Sequence, residues 1–235
     1  FDRNKIQEHS LKDLFTHPIE EHSWVIKDLL NRGGTSSLSG APKSGKSTLT
    51  RKLALCVAKG EDFFGRSTQK GSVMYVAVEE KLEQVIEHFK KLKATGDEDI
   101  TVHCGFNPPN ISGQLREILG RRKLDLIVLD TFAKTTGVKD LNDAVAVNTA
   151  MEPFHLLAKE FDTHILFVHH MSKGKEGAEG IAGSMAIRGA FDCNMLLERI
   201  GADGEKRRFV SEQRYGRDFE AHVIEFDKST GEPTL

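Results

Sequence analysis

The chain has 235 residues, enough for one domain or one domain with a small appendage. Its 33 basic and 35 acidic residues nearly cancel, so bulk attraction to nucleic acid is not advertised and any such site must come from local clustering. No apolar run approaches a membrane span, no signal peptide opens the chain, and Cys56, Cys104 and Cys193 offer neither zinc spacing nor a disulfide framework, so a protein of a reducing, cytoplasmic compartment without a membrane partner is expected.

Residues 1–32 are polar and helix-prone around "LKDLF" and "WVIKDLL". They read as a lead-in segment packing beside a ligand site in the domain that follows, residues 33–235. That site opens with "GAPKSGKST", residues 40–48, where Gly40, Gly45, Lys46 and Ser47 satisfy G-x-x-x-x-G-K-[ST]. A flexible surface turn has similar composition. The spacing favours a phosphate cradle, in which backbone N–H groups of Gly40, Ala41, Pro42, Lys43, Ser44, Gly45, Lys46, Ser47 and Thr48 (proline excepted) surround the anion. Gly40 and Gly45 would provide backbone angles that a Cβ forbids. Lys46, standing exposed in the loop, would reach the outer phosphates, and the Ser47 hydroxyl would ligate magnesium. Leu49, Leu53 and Val57 follow at helical spacing, so the positive end of a helix dipole points at the anion. The preceding "TSSL" is polar for a buried strand, the weakest part of this context.

Beyond the loop, strand and helix signals alternate. "SVMYVAV" (72–78) reads as a strand ending in Glu79-Glu80. "LEQVIEHFKKL" (82–92) places Leu82, Val85, Ile86, Phe89 and Leu92 on one helical face, with Glu87 and Lys91 paired on the other. "DITVHC" (99–104) is a strand, 111–122 a helix and "LDLIVLD" (124–130) a fully buried strand. Val147, Met151, Phe154 and Phe161 mark a helix that Pro153 should kink or restart. "HILFVHH" (164–170) is the next buried strand, and "EKRRFVSEQRYG" with "FEAHVIEFDKSTG" form an antiparallel hairpin. This alternation predicts an α/β domain with a mostly parallel sheet covered on both faces. The loops 132–143 and 171–184 follow buried strands, at the carboxyl edge where such sheets bind ligands.

Asp130, at the tip of a buried strand, can hold magnesium opposite Ser47; the other reading is a carboxylate capping a turn with Thr131. Glu79 is the candidate to position and polarise an attacking water, with Glu80 adjacent and a solvated acidic helix start as the bland alternative. His169 and His170 close their strand, and one of them is placed to touch the γ-phosphate.

The ordered set of phosphate loop, "YVAVEE", "LIVLD", "FVHHMSKG" and "SMAIRGAFD" resembles the RecA/DnaB-type ATPase core, and most of all the RepA group of plasmid replicative helicases and their phage relatives. The resemblance spans about residues 20–227. It implies a RecA-like three-layer sandwich with a C-terminal antiparallel hairpin and ATP with Mg2+ as ligands. It implies Glu79 as catalytic glutamate, Asp130 as the magnesium aspartate, and His169 or His170 as γ-phosphate sensor. It further implies a homo-oligomeric ring, commonly of six subunits, with ATP sites between neighbours. In that family a K-x-R pair on the terminal hairpin enters the adjacent subunit's site. This chain has Glu212-Gln213-Arg214, so the arginine matches and the lysine position is acidic; Arg217 is a possible substitute, and Arg214 also reads as a plain surface charge. Single-stranded DNA in the channel would meet Lys134, Lys139, Lys173, Lys175 and Arg188, although loop charges also serve solvation and no aromatic stacking residue accompanies them. The leading reading is an ATP-driven DNA helicase or translocase. The alternatives are a RecA-like ATPase that does not unwind and an assembly module with negligible hydrolysis.

Overall fold

The computed structural model describes residues 6, 8–16, 23–171, 185–201 and 205–235. In chain order these form α1 (Leu11–Leu14), β1 (Trp24–Ile26), β2 (Leu30–Asn31), β3 (Thr35–Gly40), α2 (Lys46–Lys59), β4 (Val73–Ala77), α3 (Leu82–Lys91) and β5 (Ile100–Cys104). There follow α4 (Ile111–Leu119), β6 (Leu126–Asp130), α5 (Phe132–Thr136), α6 (Ala144–Phe161), β7 (His164–His170), α7 (Met185–Ala190), β8 (Cys193–Ile200), β9 (Lys206–Gln213), β10 (His222–Phe226) and β11 (Pro233–Thr234). Among the described residues no helix is long and apolar enough to cross a membrane.

One nine-stranded sheet runs β11–β10–β9–β8–β3–β7–β6–β4–β5. From β8 to β5 the pairings are parallel, and β9, β10 and β11 add antiparallel strands at one side. The β-branched runs of β4, β6 and β7 suit burial on both faces. Alternate residues divide between two cores. Val73, Tyr75 and Ala77 join α2 and α3 through Leu49, Leu53, Val85 and Phe89. Met74, Val76 and Val78 join α4 and α6 through Leu115, Met151 and Phe154. The result is the three-layer α/β sandwich expected from the alternating pattern. The registers Gly40↔His170, Asp130↔Val168 and Ala77↔Asp130 bring the carboxyl ends of β3, β7, β6 and β4 to one edge.

The polar strand is resolved by its neighbours. β3 is buried at all six positions, between β7 and β8. Ser36 Oγ lies 2.8 Å from His164 Nε2, Ser37 Oγ donates to Asn194 Oδ1 at 2.9 Å, and Thr35 Oγ1 lies 3.3 Å from His155 Nδ1. Buried hydroxyls with partners cost little. His164 is fully buried, and burial pushes its pKa down to about 4, so at neutral pH the ring is uncharged. Nδ1–H then donates to the Asn31 carbonyl at 2.6 Å, leaving Nε2 to accept from Ser36.

Several expectations are corrected. "WVIKDLL" is not helical: β1 and β2 form an antiparallel hairpin whose Val25, Ile26, Leu29 and Leu30 are wholly buried in the α2-side core. Its spacing of apolar pairs fits a helix equally well, and tertiary burial decides. This hairpin leads into the amino end of β3 and packs Trp24 against Gly216, away from the phosphate loop at the other edge. The segment after β6 is not all loop, since α5 occupies its start. Pro153 sits inside an uninterrupted α6. The carbonyl it leaves without a helical donor belongs to exposed Thr149, where water can serve. On α3 the buried face comprises Val85, Phe89 and Leu92, whereas Leu82 and Ile86 are exposed. The Glu87–Lys91 pair forms as expected, at 2.7 Å.

Candidate functional site

Residues 40–48 leave β3 and enter α2 around a cradle whose two glycines do different work. Gly45 has φ +101° and precedes α2 without any side-chain cap, and the first turn of α2 holds no acidic residue. A Cβ at Gly45 would stand 2.6 Å from the Phe226 ring. Gly40 has no positive φ; a Cβ there would meet the Leu197 carbonyl oxygen at 2.4 Å and Ser44 Oγ at 2.9 Å, so close approach to β8, and not backbone freedom, demands glycine. The first N–H groups of a helix lack intrahelical acceptors, and together with the dipole they favour an anion.

Lys46 is buried, contrary to the exposed position expected of it. Its Nζ donates to the carbonyls of Gly40 and Ala41, each at 2.9 Å. Burial pulls its pKa down to about 8, partly offset by the charge of Asp130. Ser44 is also fully buried, and its Oγ has no hydrogen-bond partner among the described residues.

Asp130 ends β6 beside Lys46 and Ser47. Burial raises its pKa, while a hydrogen bond from Ser47 and the charge of Arg51 oppose the rise. Tyr75 OH donates to Asp130 Oδ2 at 3.4 Å and lies 2.9 Å from Thr50 Oγ1, fixing the carboxylate between β4 and α2. The two adjacent glutamates part company. Glu80 is ion-paired to buried Arg51 and lies 3.0 Å from His88 Nδ1. Glu79 is exposed, and its Oε2 lies 4.0 Å from Nε2 of His170. The histidines diverge likewise. His169 is buried edge-on to Phe132, and burial, with the nearby charges of His170 and Lys46, lowers its pKa to about 4. His170 is exposed at the carboxyl edge, its pKa lowered by burial and by Lys46. Phosphate loop, Asp130, Glu79 and His170 thus converge on one edge.

The remaining candidates lie elsewhere. Arg214 follows β9 at the opposite edge, where β8 and β3 begin; it pairs with Asp192 at 3.2 Å, and Asp192 accepts the Thr35 N–H at 3.0 Å. Arg188 and Glu212 form a bidentate pair with both contacts at 2.7 Å, close to Arg214. Arg188 is therefore apart from Lys134 and Lys139, which are exposed beyond β6 at the carboxyl edge. It precedes β8, which runs parallel to β3, so it falls at the amino edge. Arg217 is exposed. Lys173 and Lys175 lie outside the described residues.

Sequence reasoning passed over the groups that support the site. Arg51 was visible in principle, as a lone arginine among Leu49, Leu53 and Ala54 on the buried face of α2. Arg207 and Phe226 reach the loop from strands distant in sequence, and no local pattern marks them. Arg207 Nε donates to the Ser44 carbonyl at 2.7 Å. A cavity of about 250 Å³ lined by Thr48, Arg51, His88 and Thr230 adjoins the loop, and another of about 540 Å³ lies over β9 and β10 beside Arg207, Phe226 and Lys228.

No curated protein matches the chain. The family described as "AAA domain" matches residues 2–176, which take in the phosphate loop, Glu79, Asp130 and His170. With that match over most of its length, and a phosphate cradle at the carboxyl edge of a mostly parallel sheet, the chain belongs to the AAA domain family and is a nucleotide-hydrolysing P-loop ATPase.

Proposed function

We propose that this ATPase is the motor of a magnesium-dependent ring, commonly of six subunits, that hydrolyses ATP to move along single-stranded DNA as a helicase or translocase in plasmid or phage replication. One observation supports the ring: exposed Arg214, paired with Asp192, stands on the sheet edge opposite its own phosphate loop, so any ATP site it serves belongs to another subunit. The resemblance to replicative helicases carries the DNA.

The residues present fit the ligands. The uncapped first turn of α2, the cradle at Gly45 and the unpartnered Ser44 hydroxyl suit phosphate oxygens. Ser47 and Asp130, already hydrogen-bonded to each other, are the hard oxygen donors that a magnesium ion takes. Bound there, magnesium would neutralise charge on the outer phosphates. Lys46 contributes a further positive charge from within the loop. Glu79 is the less engaged carboxylate of its pair, with His170 at 4.0 Å, since Glu80 is committed to Arg51 and His88. It orients a water for attack on the γ-phosphorus and takes up the proton as the bond to the bridging oxygen breaks, leaving ADP and phosphate. His170, beside Glu79, is placed to register the loss of the γ-phosphate. Arg214 of a neighbour stabilises transition-state charge, worth roughly 10³-fold or more. Lys134 and Lys139 offer sequence-independent phosphate contacts to DNA.

A second reading, a RecA-like ATPase that does not unwind, is favoured by the near-neutral charge and by the Arg188–Glu212 pair, which cancels a cation at the hairpin. ATPase rate measured with and without single-stranded DNA across protein concentration tests both. The motor reading requires stimulation by DNA and turnover per subunit that rises with concentration. Turnover indifferent to DNA would favour the second reading, and turnover indifferent to concentration would sink the ring.

A further inference from the structure

We infer that β9 is a strut joining two ATP sites, with Arg207 at its near end as a positioning residue for the chain's own phosphate loop. The far end rests on the reading of Arg214 as a group acting in a neighbour. At the near end, three side chains from three C-terminal strands hold the outer side of the loop. Arg207 on β9, itself buried, donates Nε–H to the Ser44 carbonyl at 2.7 Å. Arg199 on β8 donates to the Lys43 carbonyl. Phe226 on β10 fills the space that a Cβ at Gly45 would need, with the Arg207 guanidinium 5.5 Å from the centre of its ring. The Ser44 N–H is already donated to the Ala41 carbonyl at 3.2 Å, so of these two peptides it is the Ser44–Gly45 one, held from outside by Arg207, whose N–H is kept for an anion.

β9 pairs with β8 without a break from Lys206↔Ile200 to Gln213↔Cys193, and with β10 from Lys206 to Phe209. The ladder continues into Arg214, whose N–H donates to the Asp192 carbonyl at 2.7 Å. Seven residue steps at a strand's rise separate Arg207 from Arg214 by about 24 Å. A strand bonded into a sheet cannot shorten, so a shift of the Ser44 peptide that displaced Arg207 would be carried, with β8 and β10 moving as one body, to the arginine offered to the neighbour. The family match ends at residue 176 and takes in none of these strands.

The test uses the full chain with Arg207→Gln, Arg207→Lys, Arg214→Ala and the double variant Arg207→Gln/Arg214→Ala. Affinities for ATP and for inorganic tripolyphosphate, which has no nucleoside, are measured with turnover, after unfolding midpoints show each variant folded. A grip on the loop predicts that Arg207→Gln weakens both ligands by about tenfold and equally, and that Arg207→Lys, which keeps a donor, recovers part of the loss. Loss for ATP alone would make Arg207 a nucleoside contact and overturn the grip, as would unchanged affinities or a lysine variant no better than glutamine. Residues this far apart normally act independently to within about twofold. At saturating ATP, where the weakened binding no longer limits the rate, the strut predicts that the double variant turns over no more slowly than Arg214→Ala alone. Turnover losses that multiply would overturn the strut. If Arg214→Ala leaves turnover intact, the neighbour reading falls and the strut's far end with it, while the tripolyphosphate result still judges the grip on its own.

Discussion

Raising the pH should weaken ATP binding through Lys46 alone. Its Nζ sits in a buried place between the Gly40 and Ala41 carbonyls, and burial lowers its pKa from 10.5 to about 8. Asp130 raises it in part, and His169 and His170 are the titratable neighbours, the first held at about 4 and the second below its ordinary value by burial and by Lys46. A bound phosphate adds negative charge next to Nζ and raises the pKa again, so the complex holds a proton that the free protein loses above pH 8. Binding therefore takes up a proton, and affinity falls as pH rises. From pH 7 to pH 9 the charged fraction in the free protein falls from about nine-tenths to about one-tenth, so Kd for ATP should rise about tenfold, about 1.4 kcal/mol. Titration calorimetry in buffers of different ionisation enthalpy should show an uptake of about half a proton at pH 8. Lys46→Ala should bind weakly with no such slope. An affinity flat to pH 9, or a slope that survives in Lys46→Ala, would refute the reasoning. The folding linkage has the same origin: the unfolded chain keeps a proton that the folded one has released, so this lysine's cost to stability is present below pH 8 and is relieved as pH rises toward 10.5.

Glu79→Gln should retain ATP binding and lose turnover by about 10² or more, measured as phosphate release. Glu80→Gln should instead lower stability by roughly 2–3 kcal/mol in denaturant unfolding, because Arg51 loses its counter-charge in a buried place; the reverse pattern would exchange their roles. Gly45→Ala should weaken ATP binding more than tenfold, and adding Phe226→Ala, which removes the ring 2.6 Å from the new Cβ, should restore part of it in an equilibrium titration. Glu212→Lys should release Arg188 and raise turnover several-fold at saturating ATP; no change would mean that the Arg188–Glu212 pair is indifferent to the reaction.

Much of this was legible because it is local. "HILFVHH" forms β7 over its whole expected span, and Asp130 stands at the tip of β6, since runs of β-branched residues between turn signals leave few alternatives. The phosphate loop is written within nine residues. Illegible were the features decided by distant partners. Val25, Ile26, Leu29 and Leu30 fit a helix until the hairpin buries them in the core on the α2 side of the sheet. Glu79 and Glu80 look alike in sequence, and only Arg51 and His88 separate them. The clasp of Arg207 and Phe226 on the loop spans more than 160 residues and leaves no local trace.

The hydroxyl-rich central strand sets a timetable for synthesis. Ser36 waits for His164, 128 residues later, and Ser37 waits for Asn194, 157 residues later. At about 5–20 residues per second, the slot between β3 and β8 stays open for roughly 10–30 s after β3 emerges. During that interval a strand of small polar side chains resists premature burial. An apolar strand in the same place would invite any passing sheet edge. The serines thus keep the centre of the sheet vacant for its proper neighbour, and a ribosome stalled before Asn194 leaves a nascent chain whose middle strand is open on one side.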